Sequence, residues 1–355
     1  MDLEQQIRRL EEEIKRTPYN KATEHHIGLL KAKLARLREE LERRRAKKGK
    51  GQQYAIKKEG DATVVLVGFP SVGKSTLLNA LTGAKSDVGD YDFTTLKPVP
   101  GMLEYKGAKI QIVDIPGIIE GASKGRGRGR EVLAMVRNAD MILIVVDVFN
   151  LHQIDIIKKE LYEAGIRLNQ KPPEVIIKKK DRGGIKITST VPLSLDERTI
   201  VEVLKENRIH NADVLIREDV TIDRLIDAIL GNRVYVPSLT VVNKIDLYEP
   251  ENIPEDAIPI SAEKRINLDL LVEKIYEKLE FIRIYLRPPG GKPDFDEPLI
   301  MRRGATVADV CRKLHRGMLE NFRYAKVWGK SVKFDGQRVG LDHVLEDEDI
   351  LTIYA

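Results

Sequence analysis

The stretch Gly68-Phe69-Pro70-Ser71-Val72-Gly73-Lys74-Ser75 has the spacing G-x-x-x-x-G-K-[ST], and its flanks restrict what the chain can fold into. Thr63 to Val67 is a β-branched and apolar run that predicts a buried strand. Thr76 to Leu81 predicts a helix, stopped by Gly83. Strand, glycine turn and helix in that order belong to an α/β fold with an anion site at the helix N-terminus. Gly68 and Gly73 let the backbone curl so that N–H groups converge on phosphate oxygens. Pro70, Ser71, Val72 and Thr76 are expected to line that cradle. Lys74 is expected to reach the β- and γ-phosphates, and the Ser75 hydroxyl to ligate Mg²⁺.

The rest of the composition narrows the class. At 355 residues there is room for two or three domains, and 42% hydrophobic with 32% charged residues suits a soluble globular protein with well-charged surfaces. Net charge is +5 and the basic residues cluster, which matters more for polyanion binding than the total. Cys311 is the single cysteine, so no internal disulfide framework is expected and a reducing cytoplasmic setting fits. No apolar signal core follows the first residues, and the longest strongly apolar run, residues 141–146, is too short to span a bilayer. No membrane association is expected.

Residues 1–50 read as a helical hairpin with a basic end. Leu3, Ile7, Leu10 and Ile14 form one stripe, and Ile27, Leu30, Leu34, Leu37 and Leu41 another. Pro18 breaks the first helix within Thr17-Pro18-Tyr19-Asn20. His25 and His26 are adjacent, so they do not share a helix face and a metal site is not expected. The run from Arg43 to Lys50 suits either a solvated helix end or a phosphate backbone.

Residues 51–280 read as the nucleotide domain. Tyr91 to Leu96 contains two threonines, Thr94 and Thr95, either of which suits closure over a γ-phosphate and Mg²⁺. A strand pair turned at Lys106-Gly107 ends at Asp114, an acid placed to meet Mg²⁺, and Gly117 is free of side-chain obstruction to the γ-phosphate. Gly121 to Arg130 reads as a basic, glycine-rich loop. Met141 to Asp147 predicts a further buried parallel strand. The next comparable signal starts only at Leu239, far beyond the roughly 30 residues of a βαβ crossover. A small α/β module is therefore expected as an insertion at about residues 168–236. Within it, Glu174–Lys179 and Ile185–Thr190 flank Asp181-Arg182-Gly183-Gly184 and predict a hairpin.

Asn243-Lys244-Ile245-Asp246 points to guanine. A carboxylate at Asp246 can accept both the ring N1–H and the exocyclic amine, a donor pair that adenine lacks. Asn243 is expected at the other edge of the base and the Lys244 stem on its face. Ser261, Ala262 and Glu263 form a second short loop suited to O6 of guanine through a backbone N–H.

These stretches carry a family resemblance. GFPSVGKSTLLNALTG, YDFTTLKPVPGMLEYKGAKIQIVDIPGIIEGASKGRGRGREVL, NKID and SAEK, with NKATEHHIGLLKAKLARLREEL near the N-terminus, resemble the Obg superfamily of GTPases. The nearest likeness is to its developmentally regulated GTP-binding (DRG) branch, and it covers nearly the whole chain. The resemblance implies a P-loop GTPase domain carrying an inserted ribosomal-S5-like module, and it favours Thr95 as the threonine that meets Mg²⁺. Some relatives carry asparagine where Ser71 stands and use it to hold K⁺ near the phosphates. Serine keeps the oxygen on a shorter stem, so a K⁺ requirement stays open.

From Phe281 to the end, strand, loop, helix and closing strands predict a β-grasp unit, residues 281–355, which resembles the TGS domain ending DRG proteins. Thr306 is expected to cap one helix from Val307 to Leu319. Trp328 and Cys311 read as packing residues.

The expected activity is GTP hydrolysis to GDP and phosphate, with Lys74, Thr95 and Gly117 around the reacting phosphate. Where Ras-like enzymes place a water-orienting glutamine, this chain has Ile118, so intrinsic turnover is expected to be slow. Expected partners are GTP or GDP, the ribosome or its RNA, and a regulatory protein, with the chain itself monomeric. Two roles remain at this level: a switch acting on ribosomes or translation factors, and an RNA-binding or assembly scaffold using GTP as a structural ligand.

Overall fold

A computed structural model describes residues 2–48, 58–83, 99–115, 129–248 and 252–355. Thr94, Thr95, Gly117, Ile118, Lys124, Arg126, Arg128 and Lys50 lie outside the described residues. The chain forms two compact units, Met1–Gln53 with Gln170–Tyr235 and Tyr54–Asn169 with Val236–Ala355.

The second unit is built on a six-stranded sheet. In spatial order its strands are Ala257–Pro259, Ser238–Asn243, Met141–Asp147, Ala62–Val67, Ala108–Asp114 and Val99–Tyr105. All neighbours are parallel except the last pair, an edge hairpin turned through Lys106 and Gly107 at φ 49° and 82°. Every residue of Ala62–Val67 and Met141–Asp147 is buried, as the unbroken apolar runs require of strands covered on both faces. Leu66 pairs with Asp114 and Asn243 with Asp147, so the strand ends that carry acid and amide side chains emerge along one edge. That carboxyl edge of a parallel sheet is where α/β folds hold ligands.

The same unit contains a second sheet of five strands, ordered Leu299–Arg302, Phe281–Leu286, Ile350–Tyr354, Tyr324–Trp328 and Gln337–Val339. Helix Val307–Leu314 covers one of its faces, packing Val307, Val310 and Cys311 on Ile284, Val327 and Leu351. Thr306 and Asp309 form a capping box at its start. The expected continuous helix to Leu319 is two helices. His315 is extended (φ −163°, ψ 134°), and its Nδ1 accepts from the Gly317 N–H at 3.1 Å to start the short helix Arg316–Glu320. Ile300 and Phe281 join the core of the six-stranded sheet, where Tyr105, Tyr276 and Phe281 stack edge to face.

In the first unit, helices Leu3–Arg16 and Glu24–Lys48 form the hairpin, with Leu3, Ile7 and Leu10 on Leu30 and Leu37. The second helix is also buried on another side, because Ala32 belongs to the core of the small module. Gly28 lets the module approach: a Cβ there would sit 3.3 Å from both Ile222 and Thr199. The adjacent histidines take separate partners, His25 with Thr199 (3.0 Å) and Glu202 (2.8 Å), and His26 with Glu13 (3.2 Å).

The expected hairpin in the module does not form. Strand Ala212–Ile216 inserts between Val175–Lys179 and Ile185–Ser189, antiparallel to the first and parallel to the second. Ala212, Val214 and Ile216 are buried and need ladder partners on both sides, which two lysine-bearing flanking strands supply. Asn211 holds the split open. Its backbone carbonyl accepts from Lys180 N, its Oδ1 from Gly184 N (2.8 Å), and its Nδ2 donates to the Asp181 carbonyl. A turn sequence alone does not reveal a strand arriving from further downstream.

Candidate nucleotide site

The phosphate loop joins strand Ala62–Val67 to helix Lys74–Thr82. Its glycines are there for space and torsion. A Cβ on Gly68 would collide with the Val145 carbonyl oxygen, and one on Gly73, at φ 93°, with the Asn243 amide. Ser71 adopts φ 64° without being glycine, a strained conformation that neighbouring groups must hold.

Lys74 is buried, and its Nζ donates to the carbonyls of Phe69 (3.0 Å) and Gly68 (3.3 Å). Burial pushes its pKa down, and the Asp114 charge opposes that shift. The Ser75 hydroxyl donates to Asp114 Oδ2 at 2.6 Å. Asp114 Oδ1 is buried and has no hydrogen-bond partner among the described residues. Burial raises the Asp114 carboxyl above the usual carboxylate range, against the pull of Lys74 and the Ser75 hydroxyl. A hydroxyl and a carboxylate with an orphaned oxygen, at the head of a phosphate-binding helix, fit a hard divalent cation bound through oxygen.

Asn243 closes the other side. Its Nδ2 donates to the Val72 carbonyl (3.0 Å) and its Oδ1 accepts from Ala262 N–H (3.0 Å). Asn243 therefore clips the phosphate loop to the Ser261–Ala262 turn, and its amide keeps a second N–H and a second lone pair beyond these two bonds. Ser261 is fully buried, and its hydroxyl accepts from Lys264 N–H. Glu263 is exposed in that turn. Lys244, at φ 67°, donates to the Ser71 carbonyl at 2.8 Å, tying the strained loop residue to the base motif. Asp246 is exposed, on the turn that follows.

One residue is not singled out by the sequence pattern. Asp147 is buried, and its Oδ2 lies 3.3 Å from Lys244 Nζ. Its Oδ1 accepts from Phe149 N–H and from Asn150 Nδ2. It therefore positions Lys244, which in turn holds Ser71. The signal is an acid ending the apolar run 141–146, but only the parallel register with Asn243 brings it to the lysine.

The structure brings together residues 68–76, Asp114, Asn243, Lys244, Ser261 and Ala262, drawn from segments far apart in the chain. Among the described residues no His, Cys, Asp or Glu cluster forms a separate metal centre, and no helix is long and apolar enough to cross a membrane.

Comparisons with known proteins identify the family. The 50S ribosome-binding GTPase family matches residues 63–179, the C-terminal region of that domain matches 182–281, and the TGS domain matches 282–355. A GTP-binding protein of Methanocaldococcus jannaschii is 64% identical over 99% of this chain and 93% of its own length. Developmentally-regulated GTP-binding protein 1 of Xenopus laevis is 50% identical over 98% of this chain and 97% of its own. A solved GTP binding protein from Pyrococcus horikoshii aligns over 82% of this chain and 99% of its own at 17% identity and TM-score 0.40. With half or more of its residues shared with such relatives over almost its entire length, the chain belongs to the developmentally regulated GTP-binding proteins, GTPases that end in a TGS domain.

Proposed function

We propose that the chain is a slow guanine-nucleotide switch that acts on ribosomes or translation factors. The observation that carries the nucleotide chemistry is the Ser75–Asp114 hydrogen bond with an orphaned Asp114 oxygen beside a buried lysine. In this reading residues 68–76 wrap the phosphates, and Lys74 leaves the Gly68 and Phe69 carbonyls to meet the β- and γ-oxygens. Ser75 and Asp114, with Thr95, hold the cation. Bound Mg²⁺ would neutralise phosphate charge during transfer to water. Asp246 accepts the two guanine donors, the Lys244 stem packs along the base, and the backbone at Ser261–Glu263 meets its O6 edge. Gly117 offers its N–H to the γ-phosphate. Ile118 cannot orient a water, so turnover rises only when a partner supplies the missing group.

The ribosome as that partner is supported by the ribosome-binding description of the matching GTPase family and by the basic residues Lys124, Arg126, Arg128 and Arg130 after the γ-phosphate turn. The test is GTP turnover with and without purified ribosomes, in potassium and in sodium buffers. Stimulation by ribosomes is expected. Equal turnover with and without them, in both salts, would remove the switch reading. A rate that depends on potassium would bring K⁺ to the phosphates despite Ser71.

A further inference from the structure

Two turns rise side by side from the carboxyl edge of the six-stranded sheet. One, residues 147–150, leaves strand Met141–Asp147, and the other, residues 244–248, leaves strand Ser238–Asn243. Asp147 and Asn243 are paired in register, and the Val148 N–H continues that pairing by donating to the Asn243 carbonyl at 3.1 Å. Beyond it, the rings of Phe149 and Tyr248 stack on each other, with centroids 6.1 Å apart and planes at 25°. Phe149 is 59% exposed and Tyr248 52%. Rings this open to water gain little from burial, so what their contact chiefly fixes is the spacing of the two turns.

The second turn carries Asp246. That residue is exposed, so its carboxylate is aimed by the backbone of the turn and not by packing around the side chain. The backbone is held by the Ile245 N–H on the Ile260 carbonyl (3.2 Å) and closed by the Leu247 N–H on the Lys244 carbonyl (3.0 Å). On its N-terminal side, Lys244 is tied to Ser71 and to Asp147. Past Asp246, Leu247 is 66% exposed, and it is Tyr248, stacked on Phe149, that secures this end. Phe149 is itself fixed, because its N–H donates to Asp147 Oδ1 at 3.1 Å. One buried carboxylate therefore anchors both ends of the turn. Its Oδ2 holds Lys244, and its Oδ1 holds the residue on which Tyr248 rests.

We propose that Phe149 and Tyr248 are positioning residues for guanine, a clasp that keeps Asp246 aimed at the ring N1–H and the exocyclic amine. The proposal rests on the reading of Asp246 as the guanine acceptor given above. Two hydrogen bonds from one carboxylate to a planar donor pair need both oxygens near the plane of the base, so a small rotation of the turn weakens them together. Inosine keeps the ring N1–H and lacks the amine, so it has less to lose when the turn rotates. The clasp thus acts on base choice, whereas phosphate binding depends on residues 68–76.

The test is competition of GDP and of IDP against a fluorescent GDP on the full chain, for the wild type, Phe149→Leu, Tyr248→Leu, the double variant and Tyr248→Phe. The wild type should prefer GDP. Each leucine variant should narrow that preference roughly two- to tenfold, the worth of one aromatic pair, mainly by weakening GDP. The double variant should narrow it no further than either single one, because the same contact is lost. Tyr248→Phe keeps the ring and should keep the wild-type ratio. A preference unchanged in both leucine variants, or GDP and IDP weakened equally, would overturn the clasp. A wild type that binds GDP and IDP alike would instead remove Asp246 as the guanine reader and the clasp with it, so the two failures are told apart.

Discussion

The two sheets of the second unit solve opposite problems. The six-stranded sheet buries both faces of its central strands, so its side chains pack and all its chemistry is pushed to the carboxyl edge, where loops emerge. The five-stranded sheet is covered on one face by a helix and on the other only in part, where Phe281 and Ile300 join the core of the six-stranded sheet, and alternation leaves rings and cations on the rest. A doubly covered sheet can hold a ligand only at its edge, whereas one left partly open can also present part of a face. The difference follows from which residues occupy alternate positions: MILIVVD admits no polar face, and YAKVW admits one.

Substitutions separate the two cases. The largest effect is expected in the doubly covered sheet, where Leu143→Ala removes a fully buried side chain and should cost about 2–5 kcal/mol by denaturant unfolding. A loss near zero would mean that the central strands are less tightly packed than their burial indicates. At the edge of that sheet, Lys74→Ala should leave the fold intact and weaken GTP by about 3 kcal/mol in calorimetric titration, because its charge-assisted bonds to phosphate disappear. Asp246→Asn should weaken GTP by roughly 2–3 kcal/mol and favour xanthosine triphosphate, whose extra carbonyl suits an amide donor. Unchanged GTP affinity would remove Asp246 from the site.

Smaller effects test the finer interactions. Asp147→Asn should raise the GDP dissociation rate several-fold, about 1 kcal/mol, because Lys244 loses the carboxylate that orients it toward Ser71. A Lys244→Ala background should abolish the added effect of Asp147→Asn, and additive losses would sever that link. On the open sheet, Tyr354→Ala should cost only about 1 kcal/mol of stability, the worth of an aromatic pair on a half-exposed face. A loss as large as that of Leu143→Ala would make the outer face a second core and erase the contrast between the sheets.

The strand–loop–helix at 62–82 and the acid at 114 were legible because their spacing is local and each residue type has a mechanical reason to be there. The capping box at Thr306 was legible for the same reason, whereas the break at His315 was not, because a histidine accepting from Gly317 has no periodic signature. Asn243 was readable as a site residue but not as a clip, since its partners at Val72 and Ala262 lie far apart in the chain. The same distance hid Asp147.

The amino-acid order alone determined most of the segments that become strands and helices, where the phosphate loop lies, and that the base motif suits guanine, because each depends on periodicity or on a contiguous run. The tertiary structure decided which segments become neighbours. It set Ala212–Ile216 between two strands that a turn sequence seemed to pair, and it joined the N-terminal hairpin to the inserted module through Gly28 and Ala32. It also carried Asp147 to Lys244 and gathered the rings of the last sheet onto one face. Those outcomes turn on register and on the burial of distant partners, which a linear pattern does not encode because chain segments compete for the same ladder edges and the same apolar surface.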